Sequence, residues 1–344
     1  IKLLQLKKSR LADGSEGLAL QAARRIEVEQ ILPADRLAMA LKAATEAAGG
    51  FSGKRVVISL PPQAIEAKSV RLPQMPDSDL QQALQWEAKD RFGFEVADGR
   101  LVWFRAGEVR RGTELKDELL LFAAKAEALA EPVAAATNAG LTVGAIDLAP
   151  CAMYRAAQRV QVTPNAACLD VGHLSSQFFM TRDDQLVFYK SVEIGGKAIN
   201  DAVGQKLGIS SEEAQALRLR LNEESLAAGP DDAAPLNQAL HDAIRAPLEE
   251  LAREIDMCMR YYAVTFRGSR PEAIRVAGRQ STLPRLCEML AATLSLRVEP
   301  THTLLGVTEL RDVARPDRSG EWAVAAGLSL YPVDAKALGK GRAA

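Results

Sequence analysis

The side chains best suited to chemistry cluster at the predicted end of one strand. Asp170 and Gly172 belong to the sequence DVGHLSS at residues 170–176, directly after the apolar run 166–169. Gly172 lets a ligand approach the backbone, successive N–H groups in the turn can bind an anion, and Asp170 can hold a hydrated Mg²⁺. The pattern therefore suits a magnesium-bound phosphate. It is also typical of a buried strand that ends in an Asx-type turn.

Two further glycine turns follow along the chain. Gly195 and Gly196 precede a predicted helix, and Gly278 ends the predicted strand 274–277. Both turns fall at positions where we expect a turn that lines a cleft between two halves of the protein. This placement favours the phosphate interpretation.

The cysteines and histidines form no pattern typical of a metal site or a hydrolase. Four cysteines and three histidines are scattered without a CxxC pair, which predicts a reducing compartment and no zinc site. We expect Cys168 to be a small core residue. His173 either contacts a bound phosphate or simply occupies a turn position. No spacing indicates a Ser-His-Asp arrangement.

The composition indicates a globular protein of about two domains. The chain has 344 residues, of which 48% are hydrophobic and 25% charged, and this excludes intrinsic disorder and a small disulfide-stapled fold. The net charge of -1 leaves no strong basic field for nucleic acid. No apolar run approaches the roughly 18 residues of a membrane span. The chain starts at Ile1 without a signal-peptide pattern, and we expect native residues to precede it.

Periodicity predicts strands over residues 1–7 and 18–28, joined by a turn near residues 13–14, and then a helix after Pro33. Residues 55–126 are predicted to form a compact α+β inset. Its predicted elements are strands over 56–60, 64–72, 101–104 and 119–123, a helix capped by Ser78 and Gln81, and a polar loop over 105–117. A helix over 126–138 and a strand over 142–147 end this half.

The second half begins with three predicted strands, over residues 166–171, 177–181 and 186–192. Ser210 and Glu213 predict a capping box, and residues 222–235 are predicted to be an exposed linker. Apolar residues from 240 to 262 recur every three or four positions and predict a long helix, which Pro247 either kinks or divides. The remaining predictions are a strand over 274–277, helices over 198–207, 283–294 and 321–330, and a mobile tail over 333–344.

Several motifs occur in an order that resembles one known family. They are DVGHLSS at 170–176, VEIGGKAI at 192–199, IRVAG at 274–278, WAVAAGL at 322–328 and, in the first half, EAK at 87–89, LLLFAAK at 119–125 and AIDL at 145–148. Over nearly the whole chain this series resembles PilM, the family of actin-like type IV pilus assembly proteins. The resemblance implies an α/β, actin-like fold with two lobes, residues 1–150 and 151–332. The first lobe would carry the inserted α+β subdomain at about 55–126.

The resemblance also implies ATP and Mg²⁺ in the cleft between the lobes. Asp170 would face the metal through water, Gly172, His173, Ser175 and Ser176 would face the phosphates, and Gly278 would lie under the nucleoside. The implied nucleotide-binding residues are Asp170, Gly172, His173, Ser175, Ser176, Gly195, Gly196, Gln215, Arg218, Gly278, Arg279 and Gln280.

Some positions depart from the family pattern. Gln215 and Arg218 stand where the family often has a glutamate and a lysine that point toward the ribose. Arg279 and Gln280 stand where the family usually has more glycine; they could obstruct the base, or Arg279 could stack on it. The family's first phosphate loop, an Asp-x-Gly turn, precedes the strand that residues 1–6 resemble, so it is missing from this sequence, and half of the phosphate-binding residues would be missing with it.

The function that the resemblance implies is a cytoplasmic scaffold of type IV pilus assembly, or of a related secretion or competence system, at the inner membrane of a bacterium. Its implied partners are the short cytoplasmic peptide of an inner-membrane PilN-like protein and other assembly proteins. Neither nucleic-acid binding nor direct membrane insertion is expected.

Alternatives from other functional classes stay open. The first is an enzyme of the actin superfamily, either an ATPase of at most weak activity or a small-molecule kinase, for which the sequence indicates no catalytic base. The others are scaffolds like FtsA or the cytosolic domain of GspL. FtsA usually ends in an amphipathic membrane helix, and residues 334–344 have no such apolar face.

Overall fold

The computed structural model describes most of the chain. The described residues are 1–10, 14–28, 32–47, 50–96, 100–111, 114–161, 165–228, 235–266, 270–283, 285–310 and 316–331. Part of the turn predicted near residues 13–14, the linker beyond residue 228 and the tail predicted over 333–344 lie outside these ranges.

The chain opens with a β-hairpin and a helix. β1 (Lys2–Arg10) pairs antiparallel with β2 (Glu16–Arg25), as the alternating pattern predicts, and α1 (Ala34–Glu46) follows. β3 (Arg55–Ser59) comes next. Although the sequence analysis placed β3 inside the inset, its hydrogen-bonded neighbour is a strand that follows the inset.

The inset is a three-stranded antiparallel sheet covered by one helix. Its elements are β4 (Ile65–Pro73), α2 (Asp77–Arg91), β5 (Leu101–Arg111) and β6 (Glu114–Ala124), with strand order β4–β6–β5. α2 buries Leu80, Leu84 and Ala88 against the sheet, and Phe92 follows them into the core. Below, the inset means these elements together with the 3₁₀ turn at residues 62–64 that leads into β4.

The polar loop predicted over residues 105–117 is wrong, because β5 and β6 form a long hairpin there. Arg105 Nε on β5 donates to Asp117 on β6 at 2.8 Å, and the buried Glu118 accepts a hydrogen bond from Arg71 on β4. Charged side chains can occupy strand positions when their partners lie on neighbouring strands. Such pairing is invisible in the local sequence.

Only one of the two predicted capping boxes forms. α2 begins directly after Pro76, so that Ser78 lies within the first turn and makes no capping hydrogen bond. The second box is confirmed: Ser210 Oγ accepts the Glu213 amide at 3.1 Å, and the Glu213 carboxylate accepts the Ser210 amide at 2.8 Å. The first box does not form because Pro76 takes the position before the helix, where Ser78 was expected. A proline is well tolerated there, since it has no N–H group that needs a partner.

Three elements connect the inset to the second half. They are α3 (Ala126–Asn138), β7 (Thr142–Asp147), which pairs in parallel with β3, and α4 (Ala149–Val160). The sequence analysis predicted no element over α4. Its buried face consists mostly of alanine, which gives a weak periodic signal.

The second half is built on a five-stranded sheet. β8 (Asn165–Val171), β9 (Ser176–Arg182) and β10 (Gln185–Val192) form an antiparallel meander, as predicted. Three helices follow: α5 (Gly196–Leu207), α6 (Ser211–Ala228) and α7 (Pro235–Phe266). The prediction of an exposed linker over residues 222–235 is wrong for residues 222–228, because these residues belong to α6.

The long helix α7 runs through Pro247 without a break, so the division that the sequence left open does not occur. Its predicted apolar stripe is buried, and it includes Leu240, Ile244, Leu248, Leu251, Ile255, Met259 and Tyr262. Full burial of each large side chain stabilises the fold by roughly 1.5 to 3 kcal/mol. This stripe fixes α7 across the core of the second half.

The chain closes with β11 (Ala273–Ala277), α8 (Leu286–Leu294), β12 (Arg297–Pro300), β13 (Val307–Thr308) and α9 (Ala323–Ser329). β11 joins β8 in parallel, and the strand order of this sheet is β10–β9–β8–β11–β12. The predicted helix over 321–330 is shorter, because residues 316–322 form a 3₁₀ helix.

α9 packs directly on α4. At Gly327 the two helices approach so closely that a Cβ would overlap the Ala152 carbonyl group and lie 2.8 Å from its Cα. Trp322, which is fully buried, stands just before α9. Glycine at position 327 therefore sets the distance between these helices.

The inset is fastened to the sheet of the second half. Leu120 and Phe122 of β6 share one apolar cluster with Phe179 of β9, and the Phe122 ring meets Tyr189 of β10 edge to face at 5.1 Å. Arg182 Nη2 also donates to the Ala106 carbonyl at 3.1 Å. Although the inset interrupts the first half of the chain, it packs on the second.

Candidate functional site

The predicted phosphate turn joins β8 to β9 and rests on the start of α5. The Gly172 amide donates to the Ser175 carbonyl at 3.1 Å, which closes the turn. The amides of Gly196 and Lys197 donate to the carbonyls of Gly172 and His173 at 2.9 and 2.8 Å. Two amides of the α5 N-terminus are thus used to hold the turn in place.

The hydroxyl groups of the turn also have partners within the protein. Ser176 Oγ donates to the Ile194 carbonyl at 2.6 Å, and Ser175 Oγ accepts from Gln63 Nε2 at 3.1 Å. Gln63 lies in the 3₁₀ turn just before β4, so this contact joins the inset to the phosphate turn. His173 is the most exposed polar side chain of the turn.

Positive charge surrounds this turn. Burial lowers the pKa of His173, and the charges of Arg279, Lys197 and Arg218 lower that pKa further. Asp170 lies on the other side of the turn, where burial raises the pKa of its carboxyl group and the charge of Lys2 opposes that rise. An electropositive turn beside a buried carboxylate suits a phosphate that carries a divalent cation.

Arg218 is the unusual side chain of the site, because it is a buried cation that no acidic side chain of the described residues neutralises. It is 7% exposed, and burial lowers its pKa to about 10. Its guanidinium donates to Gln280 Oε1 at 2.6 Å and to Asn200 Oδ1. Among the described residues its Nε has no acceptor and no carboxylate forms a salt bridge with it. A buried charge without a counter-ion is costly, and a bound anion would offset that cost.

Gln215 belongs to the same network. Asn200 Nδ2 donates to Gln215 Oε1 at 3.1 Å, while the other end of the Asn200 amide accepts from Arg218. The side chain of Gln280 lies against Gly196, where a Cβ would overlap it. The space beside Gly196 is therefore filled by the Gln280 side chain, which Arg218 holds in place.

Gly278 adopts a conformation that few other residues could. Its φ is +89°, and a Cβ would lie 2.5 Å from the Val171 carbonyl oxygen and overlap the Asp170 carboxylate. The next residue, Arg279, extends away and pairs with Glu27 at 2.9 Å. Glu27 follows β2, so this ion pair connects the two halves of the molecule.

The twelve predicted residues thus form one connected group. At the phosphate end, the amides of Gly196 and Lys197 and the hydroxyl groups of Ser175 and Ser176 already have partners within the protein, which leaves His173 and Asp170 as the side chains of the turn that could meet a phosphate and its cation. At its nucleoside end Gln280 would have to move. The sequence analysis missed Asn200, Gln63 and Glu27; Asn200 stands one helical turn after Gly196, whereas nothing in the sequence points to the other two.

Within the described part of the chain, no group of three or more His, Cys, Asp or Glu side chains is placed to hold a metal ion directly. The role of Asp170 as a magnesium ligand through water stays a prediction. No helix in the described ranges is both long and apolar enough to cross a bilayer.

We expect the cysteines to be chemically inert in the native protein. Burial raises the pKa of Cys168 and Cys151 to about 12 and that of Cys258 and Cys287 to about 11. At pH 8 a thiol with a pKa of 12 is a thiolate in about one molecule in ten thousand, and the thiolate is the reactive form. Iodoacetamide at pH 8 should modify none of them within minutes, and all four after unfolding in urea. Rapid labelling of the native chain would contradict this assignment.

Comparison with known proteins agrees with the architecture. The sequence profile of the family described as "Type IV pilus assembly protein PilM" matches residues 1–332. The solved structure of a PilM–PilN type IV pilus biogenesis complex is 23% identical, covers 97% of this chain and 95% of that chain, and gives a TM-score of 0.75. No curated protein sequence matches significantly.

Two further solved structures are similar to part of the chain at lower scores. The ethanolamine utilization protein EutJ from Carboxydothermus hydrogenoformans is 13% identical over 59% of this chain and 61% of that chain, with a TM-score of 0.44. MreB5 of Spiroplasma citri bound to ADP is 12% identical over 60% and 64%, with a TM-score of 0.43.

The family match and the full-length structural match together confirm the predicted actin-like α/β fold. The chain belongs to the family of type IV pilus assembly proteins PilM.

Proposed function

We propose that this protein is a scaffold of type IV pilus assembly that binds the cytoplasmic segment of a PilN-like membrane protein. The observation that carries the proposal is the family match over residues 1–332, together with the fold shared with a PilM that was solved with PilN. Because the described residues include no spanning helix, membrane attachment would come from the partner. The protein would then act on the cytoplasmic side of the inner membrane.

The inset offers one exposed side chain suited to anchor a peptide. Trp86 on α2 is 66% exposed, and the Lys89 amine lies 5.1 Å from the centre of its ring. Tryptophan is enriched among residues that dominate binding energy, because it buries a large rigid surface. The inset also contacts the phosphate turn through Gln63 and packs on the second half, so an occupant of the inset could affect the cleft.

We predict that Trp86→Ala weakens binding of the partner peptide at least about tenfold, since loss of such an anchor costs about 2 kcal/mol. Fluorescence anisotropy would be measured with a labelled synthetic peptide of the short cytoplasmic segment of the PilN-like protein from the same genome. Met39→Ala on α1 is the matched control, because Met39 is 73% exposed and outside the inset. Its affinity should stay within twofold of wild type.

Two results would separate the parts of this proposal. If the wild-type protein does not bind the peptide and does not retain the full-length partner from detergent-solubilised membranes, the scaffold function fails. If wild type and Trp86→Ala bind equally well, the scaffold function stands and the partner site lies elsewhere.

Nucleotide binding is a second candidate function, which one observation favours. Within the described ranges, Arg218 is a buried cation that no carboxylate pairs with, and the phosphates of Mg-ATP would supply negative charge beside it. Calorimetric titration of Mg-ATP into wild type and Asp170→Ala tests this function. If wild type releases phosphate no faster than Asp170→Ala does, the protein binds ATP without hydrolysing it.

A further inference from the structure

The sheet of the second half has one covered edge and one open edge. β10, at one edge, packs against β5 and β6 of the inset. β12, at the other edge, pairs with β11 and has no strand on its outer side in the described part of the chain. An open strand edge presents N–H and C=O groups that can pair with another chain. β12 is therefore the edge at which this sheet can be extended.

The backbone groups of Val298 point outward from this edge. In a parallel pair, the N–H and C=O of one residue point to the same neighbouring strand, and those of the next residue point away from it. The Thr301 amide, just after β12, donates to the Val276 carbonyl of β11 at 2.7 Å, so Val298, three residues earlier, points away from β11. Pro300 points outward as well, which suits a residue without an N–H group.

The exposed side chains of β12 carry opposite charges. Arg297 and Glu299 stand two residues apart and therefore lie on the same face of the sheet, with side chains 68% and 39% exposed. The register with β11 places Arg275 beside Glu299, and Arg275 Nε lies 4.0 Å from a Glu299 carboxylate oxygen. One positive and one negative residue thus flank Val298 symmetrically.

We propose that β12 is a homodimer interface, in which two copies pair antiparallel about a two-fold axis at Val298 and join their sheets into one. In an antiparallel pair, residues equidistant from such an axis lie directly opposite each other with their side chains on the same face. Arg297 then faces Glu299 of the other copy, and the symmetry makes this contact twice. The two Val298 residues exchange both of their N–H···O=C hydrogen bonds across the axis.

The charges also select this register over its neighbours. An axis at Arg297 would oppose that arginine to its own copy, and an axis at Glu299 would do the same with two carboxylates, so both registers place like charges together. The axis at Val298 instead produces a row across the joined sheet in which the sign alternates. That row runs from Arg275 through Glu299 to Arg297 of the other copy.

The expected dimer is weak and reversible. β12 is short (Arg297–Pro300), and Pro300 cannot donate to a further bond, so the shared ladder ends there. Such a contact buries less than the roughly 1,200 Å² at the lower end of stable interfaces. Copies that a membrane partner brings together would dimerise more readily through their raised local concentration. That consequence rests on the proposed function, whereas the dimer itself is measured on the purified chain without any partner.

Sedimentation equilibrium tests the charge pattern. Wild type should show a monomer–dimer equilibrium that shifts with protein concentration. Arg297→Glu and Glu299→Arg should each weaken the dimer at least about tenfold, because each change opposes like charges twice. An equimolar mixture of the two variants should dimerise as wild type does, since both contacts of the mixed dimer again join opposite charges. This recovery excludes misfolding as the cause of the single effects.

Arg220→Glu is the matched control for these charge reversals. Arg220 lies on α6 and its side chain is 66% exposed, so this variant changes the net charge by the same amount as Arg297→Glu does. Its dimerisation constant should stay within about twofold of wild type, because exposed charges away from the interface are screened by salt.

Oxidative crosslinking tests the register. Directly opposite residues have Cα atoms about 4.5 to 5.5 Å apart, within disulfide range, whereas diagonal neighbours are about 7 to 8 Å apart. Arg297→Cys mixed with Glu299→Cys should therefore form a disulfide dimer, and Arg297→Cys alone should form little. Both variants would also carry Cys287→Ser, because Cys287 lies on α8, which packs on β12. The Cys287→Ser protein under the same oxidant controls for the other native cysteines.

Hydrogen exchange of the Val298 amide separates a second copy from any other occupant of the edge. Its exchange should be fast in dilute protein and should slow as the concentration rises. Exchange that is slow at every concentration would overturn the proposal, as expected if a segment outside the described residues, such as 332–344, pairs with β12. A wild-type chain that stays monomeric at every concentration, or a mixture of charge variants that dimerises no better than either alone, would also overturn it.

Discussion

Gly327→Ala should destabilise the protein by about 4 kcal/mol or more, the largest effect we expect from a single methyl group. The added Cβ would overlap the Ala152 carbonyl, so α9 or α4 would have to move by more than an ångström. Overpacking usually costs about 1 to 3 kcal/mol, and the cost rises when backbone rather than a side chain must yield. Urea denaturation followed by circular dichroism would measure the loss, and aggregation on expression would be its extreme form.

Gly93→Ala is the matched control for this substitution. Gly93 follows α2, and a Cβ there would meet nothing within 4 Å. We expect its free energy of unfolding to stay within about 0.5 kcal/mol of wild type. A Gly327→Ala protein as stable as the Gly93→Ala protein would show that α4 and α9 are not held at this distance.

Arg218→Met should weaken the binding of Mg-ATP and leave the stability of the protein nearly unchanged. We expect Mg-ATP affinity to fall roughly 30- to 150-fold, since a hydrogen-bonded charge contributes about 2 to 3 kcal/mol to holding an anion. The free energy of unfolding without nucleotide should change by less than about 1 kcal/mol. Removing the buried charge relieves its desolvation, and this gain offsets the hydrogen bonds lost at Gln280 and Asn200.

Thermal denaturation with and without Mg-ATP gives both quantities from one sample, and calorimetry gives the affinity directly. Arg218→Lys keeps the positive charge and should retain part of the binding. If Arg218→Met lowers stability by several kcal/mol but leaves the affinity unchanged, Arg218 is a structural residue only. If the wild-type protein shows no saturable binding, the nucleotide function itself is wrong.

The parts of the fold that could be predicted are those that residues close together in the sequence determine. The turn after Asp170 was predicted because Asp-x-Gly ends a strand, and α7 because apolar residues recur at helical spacing through position 262. The hairpin of β5 and β6 was missed because Asp117 and Glu118 look solvent-exposed in sequence. Their burial depends on arginines 12 and 47 residues away.

The same limit applies to the candidate site. Motif order placed all twelve residues in one region, but their contacts could not be predicted. Arg218 meets Gln280 across 62 residues, and Arg279 meets Glu27 across 252. From the sequence, Arg279 could either stack on a base or obstruct it. In the structure its guanidinium forms an ion pair with Glu27 instead. Sequence alone carries no signal for such a pairing.

The attachment of the inset to the second half has a mechanical consequence. Because Leu120 and Phe122 are embedded beside Phe179, the inset cannot swing as a separate flap on its two chain connections. A pull applied to α2 would be transmitted through β6 into the sheet of β8 and β9, whose connecting turn is the candidate phosphate turn. Tension from a membrane-anchored segment would then reach the residues of the candidate site.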